Sequence, residues 1–151
     1  RKSLWYSAYG EGWALYTERL AEEMGLYTSD VDRVGWLASE AHRAARLVVD
    51  SGMHALNWTR QESIDYLAEH TTLTPNQTEA ETDRYIATPG QASSYMVGAL
   101  EIMRLRKDAE AAFGQDFDIK EFHDIVLADG TVPLGMLRKK VEAWIKTANG
   151  A

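Results

Sequence analysis

One acidic side chain stands among small residues that could expose it for chemistry. Glu11 lies between Gly10 and Gly12, and beyond these glycines apolar residues recur every three or four positions, which predicts one face of a helix. These apolar residues are Trp13, Tyr16, Leu20 and Met24. Glu18 and Glu22 share a sector of that helix with Glu11. A carboxylate near a helix N-terminus is favoured by the helix dipole, and small neighbours would also let it reach a metal or a substrate. The spacing leaves both interpretations open.

A second polar group follows at helical spacing. Arg46 and Asp50 are four residues apart, as are Asp50 and His54, so each pair can interact along one helix face. The same side carries Arg43 together with large apolar residues, namely Trp36, Leu47 and Trp58. Since a solvated face seldom bears such residues, it is predicted to pack against another element or to line a cavity.

Two interpretations of this polar face stay open. It could be a local chain of salt bridges, which contributes little stability at an exposed site. It could instead be a substrate-binding face on which Asp50 holds Arg46 and His54 reaches the ligand. The opposite side of the helix is predicted to be core, with Leu37, Ala41, Ala44, Ala45 and Val48.

A third group begins at a break in the helical pattern. Pro89-Gly90 directly precedes a helix that starts at Gln91, and the free N–H groups of a helix start can hold an oxyanion or a carboxylate. Tyr95 lies one turn into that helix and is either a hydroxyl donor to an oxyanion or an ordinary core aromatic. The histidines outside these groups, His42, His70 and His123, are weaker candidates, and no Ser-His-Asp arrangement is present. His123 is expected to be structural, because its neighbour Asp124 cannot face it on a helix.

Helices that position these groups account for nearly the whole chain, and no segment alternates like a strand. The sequence therefore predicts an all-α fold, a single bundle-like domain over residues 1–151. Ser29 or Asp30 is predicted to cap the second helix and Thr59 the third, where Glu62 completes a capping box. The later helices are predicted at about Gln77 to Ile86, Gln91 to Phe113, Asp118 to Leu127 and Pro133 to Ala148.

Composition narrows the classes of function. The 151 residues carry a net charge of −7, which argues against a nucleic-acid partner. There is no cysteine, so neither a disulfide framework nor a thiolate zinc site is possible. No apolar run is long enough to span a bilayer, and the compartment stays undetermined. Because the chain begins with Arg1 and has no signal peptide, we expect an internal piece of a longer protein.

Four stretches, in order, resemble the bacterial family called domain of unknown function 885. The most specific is Glu11-Gly12-Trp13-Ala14-Leu15-Tyr16-Thr17-Glu18. The others run from Arg43 to His54, from Glu81 to Ala92, and through Phe122-His123-Asp124 to Pro133-Leu134. Members of this family resemble zinc metallopeptidases of the gluzincin type, so the resemblance implies the C-terminal portion of a gluzincin-like catalytic domain.

The resemblance also implies roles for individual residues. Glu11 would be the third zinc ligand, with Glu18 and Asp50 orienting the site. Tyr95 would steady the oxyanion, and the substrate would contact Arg46, His54, Arg84 and Gln91. The family's His-Glu-x-x-Pro-Gly-His-His segment, which supplies two ligands and the general base, is not in this chain.

The chain by itself is therefore expected to be metal-free and inactive, since one carboxylate cannot hold zinc usefully. Its parent is expected to be a zinc-dependent peptidase. Its partners would be a peptide substrate and the missing N-terminal part of the same protein. Two alternatives remain: a non-catalytic helical module that binds peptides without metal, and an interaction fragment that docks on the missing part.

Overall fold

Short polar residues set where the helices begin. In the computed structural model, which describes residues 5–148, Ser29 accepts the backbone N–H of Asp32, and Thr59 accepts that of Glu62. The Asp32 and Glu62 carboxylates accept the cap N–H groups in return, which completes two capping boxes. Both predicted caps are confirmed.

The predicted all-α fold is confirmed, and no strand occurs in the described part of the chain. Glycines with positive φ follow the helix ends at Gly25 and Gly114, a conformation that glycine adopts without a side-chain clash. The α-helices are α1 (Ser7–Glu23), α2 (Asp30–Ala55), α3 (Arg60–His70), α4 (Pro75–Ala87), α5 (Gln91–Phe113), α6 (Ile119–Leu127) and α7 (Leu134–Ala148).

Glycines let α1 and α5 cross at close range. A Cβ placed on Gly12 would meet the backbone of Gly98, and a Cβ on Gly98 would meet the carbonyl oxygen of Ala8. The two backbones therefore touch where both helices lack a side chain. Gly12 serves this helix crossing, and Glu11, one residue earlier, lies inside α1 rather than at its start.

Helix α5 lies at the centre of the fold and packs on α1, α2 and α7. Its residues Ile102, Leu105 and Ala109 are fully buried, and they share one core cluster with Tyr16 of α1 and Phe122 of α6. The predicted functional residues of α1, α2 and α5 are thereby carried by helices that pack directly on one another.

The prediction that one side of α2 belongs to the core is wrong for three of the five residues it named. Leu37 is 52% exposed, and Ala41 and Ala44 are also exposed. The buried residues of α2 include Arg46 and Asp50 instead. The polar side packs inward because the start of α5 supplies backbone N–H groups to Asp50 and an amide oxygen to Arg46. Of the predicted core side, Ala45 is buried and Val48 partly buried.

No helix among residues 5–148 combines the length and the apolar character that a membrane crossing would need.

Candidate functional site

Gln91, the first residue of α5, connects the predicted site residues. Its side-chain N–H group donates to Glu11 Oε1 over 3.4 Å. Its amide oxygen accepts from the guanidinium groups of Arg46 and Arg84, both at 3.3 Å. Gly90, with φ 80°, makes the sharp turn that directs the chain into this position. Four predicted residues from four helices therefore meet around one amide group.

Arg46 is the most unusual member of this group, because it is a cation with only 4% of its surface exposed. Its guanidinium lies 4.3 Å from the ring centre of Tyr95 and 5.4 Å from that of Tyr85, within the range of cation–π attraction. Its Nε atom is buried without a hydrogen-bond partner. Within residues 5–148 no carboxylate forms an ion pair with it. Burial of a charge in this state is unfavourable.

Glu81 organises the polar groups on the α4 side. It accepts from Arg84 over 2.6 Å and from the Tyr85 hydroxyl over 2.6 Å. Burial alone would raise the pKa of Glu81, but hydrogen bonds from Arg84 and Tyr85 and the positive charges lower this pKa to about 2. Glu81 is therefore ionised and fully engaged, and the Arg84 charge is neutralised by it.

His42 completes this side of the site. Its Nε2 lies 3.2 Å from the Tyr85 hydroxyl and 3.9 Å from Glu81. Burial, and then the charge of Arg46, lowers the pKa of His42 below its usual value. We name the following set the Arg46 cluster: Arg46, His42, Glu81, Arg84 and Tyr85.

Asp50 holds the start of α5. Its carboxylate, 1% exposed, accepts the backbone N–H groups of Gly90 over 3.1 Å and of Ser93 over 2.9 Å. The helix start predicted to receive a ligand oxyanion is thus occupied by a side chain of the protein. The predicted pairing of Asp50 with Arg46 is not formed among the described residues, because both carboxylate oxygens face the helix start. Asp50 thus contacts the backbone on both sides of Gln91, at Gly90 and Ser93, and its role in orienting the site stays a prediction.

His54 contacts the ends of two helices and not the Gln91 amide. Its Nε2 lies 3.2 Å from the backbone oxygen of Tyr85 and 3.5 Å from Asp50. These contacts join the end of α2 to the end of α4. The assignment of His54 to the substrate stays a prediction, and none of these contacts supports it.

Glu18 lies apart from the Gln91 network. Its side chain accepts from the Ser39 hydroxyl over 3.3 Å, and its backbone oxygen accepts from Tyr27. Seven residues separate it from Glu11 on α1, a rise of about 10 Å along a helix. In the described residues Glu18 therefore joins α1 to α2 and does not contact Glu11.

Tyr95 presents its ring to two cations. Besides Arg46, the Arg43 guanidinium lies 5.8 Å from the ring centre, and the Nε atom of Arg43 is also buried without a partner. No partner is recorded for the Tyr95 hydroxyl within residues 5–148. Its predicted role as a donor to an oxyanion stays a prediction.

The described residues do not make a zinc site on their own. No group of three His, Asp or Glu side chains among residues 5–148 has the geometry to hold a metal. Glu11 can supply one oxygen ligand, but it contacts the amide of Gln91, which in turn accepts from two guanidinium groups. Any zinc here would depend on ligands from outside this set, as the sequence predicted for the two histidines.

Sequence reasoning missed the roles of Glu81, Tyr85 and His42. Glu81 and Arg84 are three residues apart and Glu81 and Tyr85 four apart, a spacing that indicates contact on one helix face. That signal was available in the sequence. The contact of His42 with Tyr85 joins residues 43 positions apart, and no local pattern indicates it.

A similar set of side chains occurs at the other end of α5. The Tyr16 hydroxyl and His123 Nε2 lie 2.7 Å apart. Arg106 lies 3.5 Å from the same hydroxyl and forms ion pairs with Glu23 at 2.7 Å and Glu110 at 2.8 Å. Burial, and then the charge of Arg106, lowers the pKa of His123. We name these five residues the Arg106 cluster.

The fold and this site define the chain as an all-α protein in which one amide group joins a carboxylate to one buried and one exposed arginine. Residues 1–141 match the family described as "Bacterial protein of unknown function (DUF885)", so the chain belongs to that family. A solved structure described as a "putative lipoprotein from Colwellia psychrerythraea" is 46% identical, with a TM-score of 0.89. The match covers 94% of this chain but only 24% of the other, so this chain spans about a quarter of its length. No curated protein matches.

Proposed function

We propose that this chain is the C-terminal part of a gluzincin-like, zinc-dependent peptidase and that it supplies the substrate-binding side of the active site. The observation that carries the proposal is the Gln91 amide, which contacts Glu11 on one side and two guanidinium groups on the other. A carboxylate suited to a metal and cations suited to a peptide's oxygens thus lie around one amide group. The resemblance of the Glu11-to-Glu18 stretch to the peptidase-like family supports it further.

In this proposal each residue of the chain has a limited task. Hydrolysis breaks the scissile C–N bond; water supplies a hydroxyl group to the carbonyl carbon and a proton to the leaving amine. Bound zinc would supply polarisation of the carbonyl and activation of the water. Glu11 contributes one oxygen ligand, and Gln91 keeps its carboxylate in place. Tyr95, one turn into α5, donates its hydroxyl to the carbonyl oxygen as negative charge develops there.

The substitution Glu11→Gln in the full-length protein tests this function. We expect loss of zinc retention and of peptide hydrolysis with unchanged helix content, because an amide is a much weaker zinc ligand than a carboxylate. Glu40→Gln is the matched control, since Glu40 lies on α2 and, among residues 5–148, pairs only with Arg19. Zinc content after dialysis and cleavage of a mixed peptide pool are the two measurements. Full zinc retention by Glu11→Gln would overturn the proposal.

A non-catalytic interaction module is the second candidate. It is favoured by the exposed apolar side of α2, where Val31 is 81% and Val34 64% exposed, because such patches mark docking surfaces. A module of this kind would bind peptides equally well with and without a metal chelator. The peptidase would no longer cleave peptides once the chelator had removed its zinc.

A further inference from the structure

A buried cation without a counter-ion is the strongest unexplained feature of the molecule. Arg46 is 4% exposed, its Nε lacks a partner, and its only side-chain hydrogen bond among the described residues is to the neutral amide of Gln91. That bond is 3.3 Å long, which lies at the weak end of the usual range. An arginine fork is matched by an anion with two oxygens, and a carboxylate would satisfy it far better than an amide does.

The surroundings of Arg46 favour an anion as well. Arg43, one turn earlier on α2, has a second buried and unpartnered Nε, and both guanidinium groups face the ring of Tyr95. Neither has an ion pair within the described residues. Two unneutralised cations therefore lie side by side in a protein whose net charge is −7.

The neighbouring arginine does not compete for this role. Arg84 contacts the same Gln91 oxygen, but Glu81 already holds it through two hydrogen bonds of 3.2 and 2.6 Å. Glu81 in turn is occupied by Arg84 and Tyr85, so it does not neutralise Arg46 directly. The positive charges at this site that lack an ion pair among the described residues are thus those of Arg46 and Arg43.

We propose that Arg46, assisted by Arg43, binds the free C-terminal carboxylate of a peptide, which displaces the amide oxygen of Gln91 from the guanidinium. Gln91 is only partly buried, so its amide oxygen can turn away from Arg46 while its side-chain N–H group still donates to Glu11. The site then accepts the ends of peptide chains rather than internal segments.

The position of Glu11 extends this inference to the bond that is cleaved, and this extension rests on the proposed peptidase function. A single amide group separates Glu11 from Arg46. Since an extended residue spans about 3.5 Å, a carboxylate held on Arg46 leaves room for only one or two residues before Glu11. The product released is therefore a free amino acid or a dipeptide from the C-terminus.

Binding to the metal-free full-length protein tests the carboxylate site by calorimetry, with amino-blocked tetra-alanine as the free acid and as the C-terminal amide. We expect the free acid to bind at least about 10-fold tighter than the amide, because an anionic partner strengthens the bond to Arg46. Arg46→Gln should abolish this difference. Arg138→Gln, which removes the same charge from α7, should preserve it.

Three outcomes would overturn the inference: no binding of the free acid, equal binding of both peptides, or equal weakening of both by Arg46→Gln. Circular dichroism first establishes that Arg46→Gln is folded. Arg46→Lys is the second variant, since it keeps the charge but loses the planar fork. Arg46→Lys should prefer the free acid over the amide less strongly than wild type does. A preference equal to that of wild type would contradict the proposed carboxylate site.

Cleavage by the zinc-loaded full-length protein separates this inference from the peptidase proposal. We expect mass spectrometry to detect alanine or dialanine released from the free acid, and little from the amide. Equal cleavage of both peptides would refute the carboxylate site while the peptidase proposal stands. Selective binding of the free acid without any cleavage would refute the peptidase proposal and leave Arg46 as a carboxylate site.

Discussion

The Arg46 cluster and the Arg106 cluster contain the same kinds of side chain but differ in how the arginine is neutralised. In each, a histidine Nε2 contacts a buried tyrosine hydroxyl beside a guanidinium. Arg106 forms ion pairs with two carboxylates. Arg46 forms none among the described residues and contacts a neutral amide instead.

This difference separates an arginine that is neutralised within the fold from one that we propose binds a ligand. The charge of Arg106 is compensated within the fold, so the cluster stabilises the packing of α1, α5 and α6. The charge of Arg46 is buried without an ion pair among the described residues, which lowers stability. Groups that reduce stability are concentrated at functional sites, and the two clusters therefore suggest opposite responses to mutation.

The largest expected effect comes from the helix crossing that carries both clusters. Gly98→Ala places a methyl group against the carbonyl oxygen of Ala8, and we expect a loss of about 3 kcal/mol or more in the free energy of unfolding. Gly35→Ala is the control, because a Cβ there meets nothing within 4 Å. That change in α2 should stabilise the protein by about 0.5 kcal/mol or more. Urea unfolding measures both; similar effects of the two substitutions would contradict the close crossing.

Removal of each arginine should have opposite consequences. Arg106→Met leaves Glu23 and Glu110 without their cation, and we expect a loss of about 1 to 3 kcal/mol. Arg46→Met replaces an uncompensated buried charge with an apolar chain, so stability should stay within about 1 kcal/mol of wild type or increase. Chemical denaturation of both variants under the same conditions decides the matter. If Arg46→Met lowered the free energy of unfolding more than Arg106→Met does, the charge of Arg46 would have to be compensated in the free protein.

Acid should weaken the Arg46 cluster through Glu81. Its pKa is about 2 in the folded protein, against 4.5 for the free side chain, so the unfolded state binds the proton first as the pH falls. The stabilisation by Glu81 is fully present above pH 4.5 and is lost as the pH falls towards about 2. Glu81→Gln should remove this dependence. The measurement is the difference in the free energy of unfolding between wild type and variant from pH 6 to pH 2. We expect this difference to be on the order of 1 to 3 kcal/mol at its largest. A difference that does not change with pH would contradict the ionised state of Glu81.

The smallest effect is expected from the two histidines. Among the described residues, His123→Phe leaves the buried Tyr16 hydroxyl with only Arg106, at 3.5 Å. We expect a loss of about 1 kcal/mol in the free energy of unfolding. His42→Phe should lose less, because the Tyr85 hydroxyl still donates to Glu81 over 2.6 Å. Thermal unfolding of both variants gives the order. The reverse order would show that Tyr85 depends on His42 more than on Glu81.

Local patterns predicted most of the fold. The caps at Ser29 and Thr59, the helix from Gln91 to Phe113, and the break at Pro89-Gly90 all depend on neighbours within four residues. The fourth helix begins at Pro75, two residues before its predicted start, because Gln77 and Thr74 form one more cap. Such signals involve residues that are close together in the sequence, so they can be recognised without the tertiary structure.

The candidate site was only partly predictable. The grouping of Glu11, Arg46, Arg84 and Gln91 follows the family resemblance, and the structure brings these four together. Glu18 and His54 were assigned to the same site, yet their observed contacts lie elsewhere. Helical spacing places side chains on one helix face, but it does not tell which neighbouring helix each of them meets.

The sequence by itself determined an all-α chain, its caps and breaks, and the residue types available for chemistry, because each of these depends on nearby residues. Tertiary structure alone decided which side of α2 is buried. The apolar side looked like the core, but Asp50 and Arg46 found partners at the start of α5, and Leu37 stayed exposed. Tertiary structure also decided that Arg106 is neutralised and Arg46 is not, because a counter-ion can come from any helix that packs nearby.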